Sequence, residues 1–125
     1  MRAIKINSTE RTIEEIDLGD PNKDLDDLKA QIGCETIQLI GLDTHIVMAV
    51  DEEGRLRQAT GAFRILGSDT VFAGNAVVIG LRSTSRGEFL VPLRENKRSF
   101  DMIIEWADPA EIPAPKMTFK PLGGK

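Results

Sequence analysis

Polar and apolar residues alternate from the start of the chain. In "RAIKI", residues 2–6, Ala3 and Lys5 alternate with Ile4 and Ile6; "NSTER" supplies turn residues and "TIEEIDL" returns. That period of two on either side of a polar turn predicts a β-hairpin. "GDPNKDL" then breaks the pattern with Gly19 and Pro21. Asp24 is placed to cap a helix over "LDDLKAQIG": Leu25, Leu28 and Ile32 fall on one stripe, acids fill the first turn, and Gly33 ends it.

Three strand signals follow, "TIQLIGL" at 36–42, "HIVMAV" at 45–50 and "GRLRQAT" around 54–60. Their short connections predict an antiparallel meander. "AFRIL" at 62–66 reads as extended. In "VFAGNAVVIG", 71–80, Val71 and the run 76–79 spell strand, yet Gly74-Asn75 interrupts it. Either the chain turns there or something needs access to the backbone. Gly80 is expected to close that strand, "LRSTSRG" to turn, and "EFLVPL" to form another strand ending near Pro92. "SFDMIIEWA", 99–107, fits both periods, and a helix is the preferred reading. The sum is an α+β fold: a small antiparallel sheet with one or two helices over residues 1–107. A tail over 108–125 holds four of the six prolines and is expected to be extended or disordered, with "KMTFK" able to add an edge strand.

Composition changes this picture little. A chain of 125 residues fits one domain, and can bury roughly two-thirds of its unfolded surface. No stretch approaches the roughly 20 apolar residues of a membrane span, and no secretory leader is evident. Cys34 is the single cysteine, so no internal disulfide can form and a cytoplasmic location is expected. Charge is more informative. Residues 1–62 carry 13 acidic against 7 basic residues, net −6, while 63–125 carry 7 against 9, net +2. A local basic face on an acidic protein favours a small anionic ligand and disfavours long nucleic acid.

Much catalytic chemistry has no signature here. His45 is the one histidine and there is no tyrosine. With no second histidine or cysteine to complete a cluster, His45 is expected to be structural or solvent-facing. No phosphate-loop, nucleophile-elbow or dinucleotide fingerprint occurs. The acidic pairs Glu14/Glu15, Asp26/Asp27 and Glu52/Glu53 read as solvated faces and turns. The expectation is a protein that is no enzyme and holds no metal or cofactor. What remains are binding residues. Asn75 offers donors and an acceptor on a short arm, and Gly74 leaves the backbone beside it open. Phe63 and Phe72 flank them, and Arg57, Arg64, Arg82, Arg86, Arg94 and Arg98 carry forked donors suited to phosphate. Arg94 and Arg98 would share a face if the helix reached back to them. Each residue also has a structural reading, Gly-Asn as a turn and Phe as core.

"MRAIKI…RTIEEIDL", "LDDLKAQIG-CETIQLIGL", "MAVDEEGRL" and "AGNAVVIG", in this order over residues 1–81, resemble a phage and mobile-element family catalogued as a domain of unknown function. The run also resembles the Thoeris anti-defence sponge proteins of phages. That resemblance implies sequestration, without cleavage, of a cyclic nucleotide signal, of the cyclic ADP-ribose type or a small cyclic oligonucleotide, in the cytoplasm of a bacterial host. It implies a homodimer or larger homo-oligomer with pockets at subunit contacts. It gives ligand contact to Asn75 in the Gly74-Asn75 pair, base stacking to Phe63 first and Phe72 second, and a paired basic role after the last strand to Arg94 and Arg98; Arg57 stands as a candidate on the residues alone. Phe100, Trp106 and Phe119 are expected to lie open for a partner. The competing reading is a protein–protein inhibitor or acidic nucleic-acid mimic acting on a host defence protein; a sponge needs a pocket, a mimic a continuous acidic surface.

Overall fold

The computed structural model describes residues 1–54 and 60–112. The expected hairpin forms from β1 (Arg2–Asn7) and β2 (Thr12–Asp17), paired from Arg2↔Asp17 to Asn7↔Thr12. The helix α1 (Asp26–Ile32) follows and ends, as expected, on a left-handed Gly33 (φ 81°) whose N–H reaches the Lys29 carbonyl at 2.7 Å. Its start differs from expectation. Leu25 occupies the cap position, and Asp24 accepts instead from the Asp26 N–H at 3.1 Å. Leu25 is 39% exposed, so the buried stripe is Leu28 and Ile32.

β3 (Ile37–Asp43) and β4 (Ile46–Asp51) pair antiparallel as expected. The other neighbour of β4 is not the next segment in sequence, and residues 55–59 lie outside the described residues. That neighbour is β7 (Asn75–Thr84), the centre of a sheet ordered β2-β1-β7-β4-β3. The strand does not stop at Gly80, because β8 (Gly87–Val91) pairs with its second half from Gly80↔Val91 to Thr84↔Gly87. Gly80 serves this pairing: a Cβ there would stand 2.7 Å from the Pro92 carbonyl oxygen and 2.9 Å from that of Val91. Pro92 falls just after β8, as expected of a residue that cannot donate to a ladder.

A second, three-stranded sheet is ordered β6-β5-β9, from β6 (Val71–Ala73), β5 (Ala62–Ile65) and β9 (Ile104–Ala107). The ambiguous 99–107 stretch is thus both of its readings in turn: a one-turn helix α2 (Lys97–Asp101), then strand β9. Asn96 caps α2, its side chain accepting from the Ser99 N–H.

The result is three layers. Ile4, Ile6, Met48, Val50, Ala76 and Val78 face the small sheet and α2, meeting Phe63 and Phe100; Ala3, Val47, Ala49, Val77 and Ile79 face α1, meeting Leu28 and Ile32. Burial on both sides explains why β4 and β7 read as unbroken apolar runs. It also corrects the expectation of an open aromatic set: Phe100 is core, Trp106 packs half-buried against it, and Phe119 lies outside the described residues. Of the tail, residues 109–111 form a capped 3-10 turn, and 113–125, with "KMTFK", lie outside the described residues. Among the described residues no helix is long and apolar enough to cross a membrane.

Candidate functional site

Gly74 marks the point where the chain leaves the small sheet at β6 and enters the large sheet at β7. Its φ of 76° lies where side chains are disfavoured. Its backbone is satisfied internally: the N–H donates to the Gly61 carbonyl at 3.0 Å, and the carbonyl accepts from Ser8 Oγ. Gly61 is pressed against the same turn, since a Cβ on it would collide with the Ser8 carbonyl and stand 2.7 Å from the Thr9 nitrogen. The break in the strand therefore has a structural cause, the change of sheet. Asn75 begins β7 opposite Asn7, and its Oδ1 is buried without a hydrogen-bond partner among the described residues.

The two aromatic candidates part company here. Phe63 is 0% exposed, with its ring stacked on that of Phe72 at 5.4 Å and 30°. A ring enclosed in this way has no face for a ligand, so Phe63 is a core residue. Phe72 is half-buried and lines a cleft of about 360 Å³ between β6 and the ends of β3 and β4. Among the described residues the charged side chains there are the acidic Asp51 and Glu52. Arg57 lies outside the described residues. Arg98 sits exposed on α2, whereas Arg94 precedes the helix cap, so the two share no helical face.

A different cleft gathers the cations. Its volume is about 350 Å³, its floor is Leu81, Val91 and Pro92, and its charged walls are Arg82, Arg94 and Glu95 with His45. It lies at the other end of β4 from the acidic cleft, about 17 Å away for the five-residue step from His45 to Val50. Three elements meet to build it. The His45 carbonyl accepts from the Leu81 N–H at 2.8 Å, while its N–H donates to Asp43 Oδ1 at 2.6 Å, fixing the turn before β4. Arg2 fastens the link after β8, donating through one terminal nitrogen to the Leu93 and Glu95 carbonyls at 2.7 and 2.8 Å. Glu15 on the neighbouring strand grips the same guanidinium at 2.8 and 3.0 Å. That hydrogen bond from Arg2 holds the Glu15 carboxyl below its usual range. Asn22 clamps the outer edge of β8: its carboxamide donates to the Leu90 carbonyl at 2.7 Å and accepts from the Leu90 N–H at 2.9 Å. Asp20 orients Asn22 by accepting its backbone and side-chain N–H groups, and the backbone bond, the larger effect, lowers the Asp20 carboxyl.

Arg82 and Arg94 make no ion pair or hydrogen bond among the described residues. Two unpaired guanidinium groups beside an apolar floor can take a phosphate or carboxylate through forked donors. Of the six arginines the sequence offered, this cleft contains Arg82 and Arg94, and only Arg94 was also singled out by the resemblance. His45 carried no signal beyond its singularity, and Arg82 was one of six similar arginines. Phe89 was missed outright; it stands directly opposite Arg82 in the β7–β8 ladder and is 40% exposed. No group of three or more metal-ligating side chains forms among the described residues.

A family model described as a domain of unknown function (DUF3846) matches residues 1–100. That span includes every residue of the cationic cleft. No curated protein matches the chain, and no solved structure does.

Proposed function

The chain belongs to the DUF3846 family, and we propose that it binds a small phosphorylated ligand between Arg82, Arg94 and His45 and holds it without making or breaking a bond. One observation carries this reading: two arginines without an ion pair or hydrogen bond among the described residues line one cleft beside Leu81, Val91 and Pro92, in a chain of net charge −4. A cationic concavity on an acidic protein concentrates small anions while the rest of the surface repels extended ones. The Arg2–Glu15 and Asn22 clamps hold the cleft in place before ligand arrives, which lowers the entropy lost on binding.

The finer form of the proposal follows the resemblance of residues 1–81. The ligand is a cyclic nucleotide immune signal, and the protein is a phage-derived sponge that sequesters it in the host cytoplasm as a dimer or larger oligomer. Asn75 begins β7 about 17 Å before Gly80 and so lies outside this site. The enclosed Phe63 has no part in it.

Native mass spectrometry of the protein taken from cells with an active cyclic-nucleotide system tests the proposal. A retained mass is expected, lost in an Arg82→Ala/Arg94→Ala double variant, and released unchanged on denaturation. No retained mass, together with no heat on titrating linear and cyclic nucleotides, would refute binding. A product peak that grows with time would refute the absence of chemistry.

A further inference from the structure

Arg82 and Phe89 occupy directly opposed positions in the β7–β8 ladder, so their side chains leave the same face of the hairpin. The N–H and carbonyl of Leu90 both point outward to Asn22, which makes Leu81↔Leu90 a non-hydrogen-bonded pair. Arg82 and Phe89 are then the hydrogen-bonded kind, with Cα atoms about 5.5 Å apart. Val91 lies two residues beyond Phe89 on that same face, about 7 Å along the strand, and it belongs to the floor of the cationic cleft. An aromatic ring thus lies just beyond the cleft's lining, on the same face of the hairpin as Val91.

The other described phenylalanines have no such freedom. Phe63 and Phe100 are core, and Phe72 stacks on Phe63 beside carboxylates. Phe89 alone among them couples an exposed ring to an unpaired guanidinium. Its position is also rigid, because Asn22 ties the next residue at two points.

We infer that Phe89 is the stacking platform of this cleft, and that the ligand is a phosphorylated compound carrying a planar aromatic ring, a nucleotide, with its ring on Phe89 and its phosphate at Arg82 and Arg94. This rests on the phosphate-binding reading, adds a specificity residue to it, and gives its nucleotide form a support independent of the resemblance. A sugar phosphate would satisfy the arginines and leave the ring uncovered. A nucleotide uses both, and stacking a base on an aromatic side chain typically strengthens binding by roughly fivefold to a hundredfold.

The test is calorimetric titration of the full chain with adenosine 5′-monophosphate, ribose 5-phosphate and inorganic phosphate. The nucleotide should bind at least about fivefold more tightly than the sugar phosphate. Phe89→Leu should abolish that preference and leave sugar phosphate affinity unchanged, Phe89→Tyr should keep it, and Arg94→Ala should weaken all three. The Phe89 ring protons should shift on adding the nucleotide and not on adding ribose 5-phosphate. Equal affinities in the parent protein, or a preference that survives Phe89→Leu in a variant that melts normally, would overturn the assignment of Phe89 while leaving phosphate binding intact. No binding of any of the three at millimolar concentration would overturn both.

Discussion

Truncating Phe63 to alanine should unfold the protein more readily than any single change at the cationic cleft. The ring is 0% exposed, sits in the cluster with Ile4, Ile6, Met48 and Val78, and stacks on Phe72 at 5.4 Å. Its strand partners are Phe72 on one side and Trp106 on the other, so Phe63 is the middle of an aromatic row across the small sheet. Deleting it removes the transfer energy of a whole ring and leaves a cavity that two strands cannot close. The cost should be about 4 kcal/mol, against a total stability of about 5–15 kcal/mol. The melting temperature should fall by about 15 °C. Urea unfolding followed by the fluorescence of Trp106, the one tryptophan, reads this directly, with a lower midpoint and an unchanged slope. Phe89→Ala, at a 40% exposed ring, should cost less than about 1 kcal/mol in the same assay. A Phe63→Ala protein that melts like the parent yet loses its ligand would refute the core assignment, since it would mean the ring is offered to a ligand.

Other outcomes follow from the same geometry. Gly61→Ala should cost about 3 kcal/mol, because the new Cβ meets the Ser8–Thr9 backbone, which no rotamer change can relieve; Gly67→Ala, with open space and only its φ of 88° against it, should cost about 1 kcal/mol. Thermal melts of the two variants side by side decide this. Asn75→Ala should leave the ligand-free protein as stable as the parent or raise its melting temperature, since it removes a buried acceptor with no donor; a large loss of stability would reveal a partner for Oδ1. The carboxyls of Glu15 and Asp20 are lowered in the folded state, so their contribution is fully present above the ordinary carboxylate range and is lost as pH falls from that range through their lowered folded-state values. Acid titration monitored by circular dichroism should show this loss, reduced in Glu15→Gln. Arg82→Ala and Arg94→Ala should each weaken phosphate binding by about tenfold and shift stability by less than about 0.5 kcal/mol, as expected for exposed arginines without partners among the described residues.

The amino-acid sequence by itself determined the pieces whose causes are local. The first hairpin, the end of α1 at Gly33, the pairing of β3 with β4 and the end of β8 at Pro92 each follow from periodicity and turn chemistry within a few residues. From these alone the α+β class could be read. Where two signals competed locally, the sequence left the choice open. Residues 99–107 carry both periods, and the chain uses both, a turn of helix and then a strand, because β5 offers an edge for residues 104–107 to join. The site was hidden for a different reason. His45, Arg82 and Arg94 are far apart in the chain and meet only because β4 and β8 pair with the same stretch of β7 around Gly80. Likewise Phe63 and Phe89 look alike as letters in apolar strands. One lies between two sheets and the other on a hairpin that runs past them, and which ring reaches solvent depends on the length of β7 beyond Gly80. Burial is a property of layers and of register between distant strands, so tertiary structure alone could turn one phenylalanine into core and leave the other exposed.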